Sequence, residues 1–153
     1  MTKIMPCLWF DNRIDDAIAF YTETFKSAKV HDLVRQDPKG PAFTAVIELA
    51  GQKFMLLNGG PDFKFTEAVS FVIDCADQAE VDYFWNRFVG DGGEESMCGW
   101  CKDKFGLSWQ VVPKQVFETV FGKDPAGAGR AMQAMMGMRK LDVAALQKAY
   151  AEA

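Results

Sequence analysis

Asp11 to Phe25 reads DNRIDDAIAFYTETF, and Asp74 to Phe88 reads DCADQAEVDYFWNRF. Laid over one another, Asp11, Ile18, Phe20, Tyr21 and Phe25 fall on Asp74, Val81, Tyr83, Phe84 and Phe88, every pair offset by 63 positions. Matches at a single offset indicate an internal repeat. Each copy has helical periodicity. In the first, Ile14, Ala17, Ile18, Tyr21 and Phe25 make one continuous apolar face, and Asp15, Asp16 and Glu23 lie mostly off it. In the second, Val81, Phe84, Trp85 and Phe88 do the same, behind Asp77 and Glu80 at capping-box spacing.

Outward from these helices the same pattern repeats. Apolar strands precede them at Ile4 to Phe10 and Val69 to Cys75. After the first helix, Lys29 to Arg35, Ala42 to Leu49 and Lys53 to Asn58 read as strands, with Ala50-Gly51-Gln52 as a tight hairpin. After the second, the strands are Glu94 to Met97, Cys98 to Lys102 and Leu107 to Val112. The expected fold is therefore α+β, with two βαβββ modules, residues 1–62 and 63–113. A helical C-terminal extension, 114–153, completes one compact domain. In that extension Lys114 to Phe121 reads as a helix. Asp124-Pro125 opens a second through Met138, and Asp142 caps a third with Val143, Leu146 and Tyr150 on one face. Met132, Met135, Met136 and Met138 suit core or dimer packing better than a metal site.

Composition narrows the functional classes. The chain has 153 residues, enough for an unstapled core, and a net charge of −4 with a sequence pI near 5.0. An acidic chain with no basic patch argues against nucleic acid or anionic membrane as partner. The N-terminus lacks a signal-peptide pattern and no apolar run approaches a membrane span, so a cytoplasmic location is expected. The four cysteines fit free thiols in a reducing compartment.

The densest stretch is Cys98 to Pro113, CGWCKDKFGLSWQVVP. Leu107 to Val112 puts Ser108, Gln110 and Val112 on one strand face and Leu107, Trp109 and Val111 on the other. A mid-strand glutamine between Trp109 and Val111 needs a reason. Cys98 and Cys101 have thioredoxin-like spacing, but the pair reads as strand, whereas that chemistry places its first cysteine at a helix N-terminus. Cys7 and Cys75 are too far away in sequence to complete a zinc ribbon. His31, the single histidine, reads as a surface residue near a sheet edge. Lys102-Asp103-Lys104 reads as a solvated turn, with gating as a lesser alternative.

The doubled βαβββ unit with Phe20-Tyr21 in its first helix resembles the vicinal oxygen chelate superfamily of glyoxalase I, extradiol dioxygenases and the bleomycin and fosfomycin resistance proteins. Cys7 to Asp11, Leu57 to Pro61, Cys98-Gly99-Trp100, Asp103 to Gln110 and Ala134 to Met138 are similar to its PhnB-like branch, often labelled 3-demethylubiquinone-9 3-methyltransferase-like. In metal-dependent members four strands each supply one ligand. The resemblance puts those positions on Pro6 or Cys7, about Asn58, Ala68 or Ser70, and Gln110. None is a carboxylate or imidazole, and amides with a hydroxyl hold divalent ions weakly, so no metal is expected. No cofactor is expected either: the glycine-rich strand-to-helix turn of an S-adenosylmethionine site is missing from Asp11-Asn12 and from Asp74 to Asp77. What the resemblance implies is a homodimer with a sheet cup that binds a small polar or aromatic molecule without metal. Trp9, Asn58, Ser70, Trp100 and Gln110 would line that cup. Two alternatives stand beside it: a metal-dependent lyase, isomerase or dioxygenase with a degenerate site, and amides at Asn58 and Gln110 that only satisfy backbone groups.

Overall fold

A computed structural model describes residues 1–152; Ala153, the last residue of the expected extension, lies outside the described residues. The chain forms two compact units, Met1–Phe65 and Thr66–Ala153.

The first unit runs β1 (Cys7–Phe10), α1 (Ile14–Thr24), β2 (Ala28–Val34), β3 (Thr44–Leu49) and β4 (Gln52–Asn58). Its sheet order is β1-β4-β3-β2, with β1 and β4 parallel and the other pairs antiparallel. The helix buries Ile14, Ala17, Phe20 and Tyr21. Leu8, Phe10, Ala45, Ile47, Leu49, Phe54 and Leu56 are the buried apolar side chains of the strands. The hairpin between β3 and β4 has two loop residues in the left-handed region, Ala50 at φ 49° and Gly51 at φ 86°. That conformation matches the twist of paired strands, and Gly51 adopts it without penalty. The expected strand start at Ile4 is too early, because Ile4 is exposed and only Cys7 onward pairs. β2 is an exposed edge, and His31 sits on it at a register shift, bonded to Glu48 at 2.9 Å.

The second unit runs β5 (Ser70–Cys75), α2 (Gln78–Gly90), β6 (Glu94–Glu95), β7 (Trp100–Lys102), β8 (Ser108–Pro113), α3 (Pro125–Met136) and α4 (Val143–Ala151). The order β5-β8-β7-β6 repeats the first sheet, again with the outer pair β5 and β8 parallel. Asp77 caps α2 by accepting from the Glu80 N–H at 3.0 Å. Phe88 of that helix stacks on Trp109 at 4.8 Å between centroids, over buried Val81, Cys101 and Val111.

Several elements of this unit differ from expectation: β7, expected from Cys98, begins at Trp100, and α3, expected through Met138, ends at Met136. β6 stops at Glu95 instead of Met97, because Cys98 and Gly99 take positive φ of 58° and 85° and turn the chain before β7 begins. The helix expected over Lys114 to Phe121 shrinks to a single 3₁₀ turn at Lys114–Val116, followed by further turns. The extension is joined to this unit. Val116, Val120, Ala131, Leu141 and Leu146 form a buried cluster, with Met132, Met135 and Met138 packed against it. Gln78 bridges it to α2, donating to the Leu141 carbonyl at 3.0 Å and accepting from the Val143 N–H at 2.8 Å. The N–H groups of Cys98 and Gly99 donate to the carbonyls of Met138 and Arg139, each at 2.8 Å.

Candidate functional site

Strand alternation and register decide which side chains leave the core. In the second unit Trp109 and Val111 point under α2, so Ser108 and Gln110 point to the opposite face. Pairing aligns rows across that face: Lys102, Ser108 and Ser70 in one, Trp100, Gln110 and Val72 in the next. Ser70, Trp100 and Gln110, all expected at the site, are thus neighbours. The Gln110 Nε2 donates to Ser70 Oγ at 3.0 Å. Its Oε1 takes no hydrogen bond from the described residues and remains available as an acceptor.

Trp9 and Asn58 belong to the first unit and are engaged there. Trp9 Nε1 donates to the Gly60 carbonyl at 2.9 Å, and its ring covers Gly59 so closely that a β-carbon there would lie 2.3 Å away. Phe63 meets the same ring edge-on at 4.9 Å. Asn58 follows buried Leu56 by two residues, which puts it on the helix side of the sheet. There its Oδ1 accepts from the Ile14 N–H at 3.2 Å and its Nδ2 donates to the Ala42 carbonyl at 2.7 Å. It caps α1, a helix whose own N-cap residue, Arg13, makes no capping bond. Trp9 pairs with Leu57 as Val72 pairs with Gln110, so within the repeat the counterpart of Gln110 is Leu57, not Asn58.

These donors do not suit a divalent ion. Asn58 has both amide atoms committed to backbone, and Ser70 with Gln110 offers one hydroxyl and one amide, neither anionic. Among the described residues no three or more His, Cys, Asp or Glu side chains are placed to share a metal.

Beside Ser108 a cleft of about 140 Å³ opens between Glu67, Glu94, Glu95, Trp100 and Lys102. Lys102 pairs with Glu67; the shared hydrogen bond pushes the ammonium pKa up and pulls the carboxyl down. Glu95 is held low by the Trp85 indole, at 3.3 Å, and by Arg139. Lys102-Asp103-Lys104, expected as a solvated turn, is anchored at its centre. Asp103 is 3% exposed; its Oδ1 accepts from the N–H groups of Phe105 and Leu107 at 2.9 and 3.1 Å, and its Oδ2 from Trp109 Nε1 at 2.9 Å. A carboxylate that gathers three donors is worth burying, and the local signal for it was an acid just ahead of a glycine turn.

The cysteine pair has no redox geometry. Cys98 lies in the left-handed turn and Cys101 on β7, neither at a helix N-terminus. Burial pushes the thiols of Cys75 and Cys101 up to about 12. At pH 8 only about one in ten thousand of either is thiolate, so iodoacetamide on the folded protein should leave both unmodified. A rapid adduct on Cys101 by mass spectrometry would contradict this. Because both pKa values are raised, the stability they contribute is intact below the ordinary value of 9.0 and declines as pH climbs from there toward about 12.

A family described as 3-demethylubiquinone-9 3-methyltransferase matches residues 2–112. No curated protein matches the chain. Among solved structures, the PhnB protein of Bacillus cereus is 28% identical, covers 73% of this chain and 99% of its own, and superposes with a TM-score of 0.67. Protein PA1353 of Pseudomonas aeruginosa is 17% identical over 74% of this chain and 98% of its own, TM-score 0.61. The fosfomycin resistance protein FosX of Listeria monocytogenes, solved with Mn(II) and sulfate, is 16% identical over 72% of this chain and 89% of its own, TM-score 0.53. The last two share the fold. With its doubled βαβββ sheets and a family match spanning both, the chain belongs to the 3-demethylubiquinone-9 3-methyltransferase family, a PhnB-like branch of the vicinal oxygen chelate superfamily.

Proposed function

We propose that this protein binds a small polar or aromatic molecule on the open face of its second sheet, without a divalent metal. The observation that carries this reading is Gln110. Its amide nitrogen is fixed by Ser70, its carbonyl is unspent, and Trp100 stands beside it on the paired strand. A preoriented acceptor next to an aromatic ring is how sites select a ligand with one donor and one flat or apolar part. Trp9 and Asn58 support the first unit and have no contact role in this reading. Nothing in it requires S-adenosylmethionine.

Apolar side chains left in solvent, Val69 and Val72 on or beside β5 and Phe117 with Phe121 after β8, favour a homodimer. Native mass spectrometry after mild purification reads the whole proposal at once. The expected species is a dimer with a retained organic molecule, lost on Gln110→Ala or Trp100→Ala, and no stoichiometric metal. Stoichiometric manganese, zinc, nickel or iron that survives exchange would replace this reading with the metal-dependent enzyme that the fold shared with FosX suggests.

A further inference from the structure

The hydroxyl of Ser108 is the one fully buried polar side-chain atom on this face without a hydrogen-bond partner among the described residues. Its residue is 1% exposed, and Oγ has no hydrogen-bond partner among the described residues, yet Ser108 lines the cleft of about 140 Å³. A buried hydroxyl without a partner loses its hydration and gains nothing in return; a ligand atom in the cleft would make good that loss.

The charge around the cleft says which kind of atom. Glu67, Glu94 and Glu95 line it against a single cation, Lys102. Lys102 is taken by Glu67, and Glu95 is taken by Arg139 at 3.2 Å. Glu94, paired with Lys102 across the strands, makes no direct ion pair among the described residues. The unspent charge is therefore negative, the unspent hydroxyl can accept, and half-buried Trp100 adds an aromatic ring. An ammonium answers all three, as a donor to Ser108, a counter-ion to Glu94 and a cation for the ring. A metal ion does not, because these carboxylates are not arranged to share one.

We infer that the cleft takes the ammonium head of an organic cation, so that the ligand proposed above carries a protonated amine; this rests on the second sheet being a ligand site. The volume suits a head with a few attached carbons. The test uses n-butylammonium, with butanol and butyrate as neutral and anionic isosteres, followed by amide NMR shifts of the labelled full chain. Butylammonium should shift Ser96, Trp100 and Ser108 saturably, binding about tenfold more tightly than either isostere. Glu94→Gln, on an exposed side chain, should weaken it about tenfold. Ser108→Ala should do the same without lowering the melting temperature, since no internal bond is lost; a stability loss with unchanged affinity would mark Ser108 as structural and end the inference. Butanol binding as tightly at the same amides would leave a ligand site standing and remove the cation. Tighter butyrate would make Lys102 the anchor and reverse the ligand's sign. No shift with any probe, alongside a retained ligand in native spectra, would confine the failure to this cleft.

Discussion

Asp103→Ala is expected to destabilise the second unit by about 4 kcal/mol, read as a fall in the urea midpoint with the slope unchanged. The substitution strands three donors at once, the N–H groups of Phe105 and Leu107 and the indole of Trp109. Two of those donors are buried, so water cannot simply take the carboxylate's place. Asp103→Asn should fall between, at about 2 kcal/mol, since an amide oxygen still serves the backbone N–H pair while its NH₂ meets the Trp109 donor head-on. Trp109 emission should move to the red in the alanine variant. A loss under about 1 kcal/mol would mean that the turn holds through its backbone bonds alone. Because the turn leads directly into Ser108, this variant should also loosen the cleft.

Gly93→Ala is the second large effect. A β-carbon at Gly93 would lie 2.1 Å from the Phe88 carbonyl oxygen and 2.3 Å from that of Lys102. Both are backbone atoms, one near the end of α2 and one at the end of β7, and neither can rotate away. The strand must shift, at about 3 kcal/mol or a melting temperature lower by about 8 °C. Glu94 would move with it, so butylammonium binding should weaken in parallel. Gly51→Ala is the control: it meets nothing within 4 Å but sits at φ 86°, so it should cost only about 1 kcal/mol and leave binding unchanged. Equal melting temperatures for Gly93→Ala and the parent would disprove the close approach.

The repeat was legible because its signal is periodic and local. Tyr21 and Phe88 are fully buried, as a face at helical spacing requires, and the Asp77 cap forms as its sequence suggests. What the sequence concealed are functions supplied from a distance. Asn58 reads as a cup residue, with backbone satisfaction as the alternative, and only folding shows that its partners are the Ile14 N–H, 44 positions back, and the Ala42 carbonyl. Its side of the sheet turned on a one-residue register, which no pattern around Leu57-Asn58-Gly59 settles. Gln110 stands out from alternation alone; Ser70 and Trp100 are expected beside it only through the resemblance, and strand pairing makes them its neighbours. Ser108 passed as an ordinary strand serine, because an unsatisfied hydroxyl is defined by what surrounds it. Asp103, between two lysines, looked solvated for the same reason.

The bonds from Cys98 and Gly99 to Met138 and Arg139 have a consequence for how this chain can be recombined with its relatives. The family match ends at residue 112, yet the turn that launches β7 borrows its acceptors from beyond that limit. The segment that the family match covers therefore does not contain all the hydrogen-bond partners of its own sheet. A chimera that keeps this second sheet must inherit the C-terminal helices with it, and a graft cut at residue 112 would carry the open face of the sheet without the segment that pins its edge.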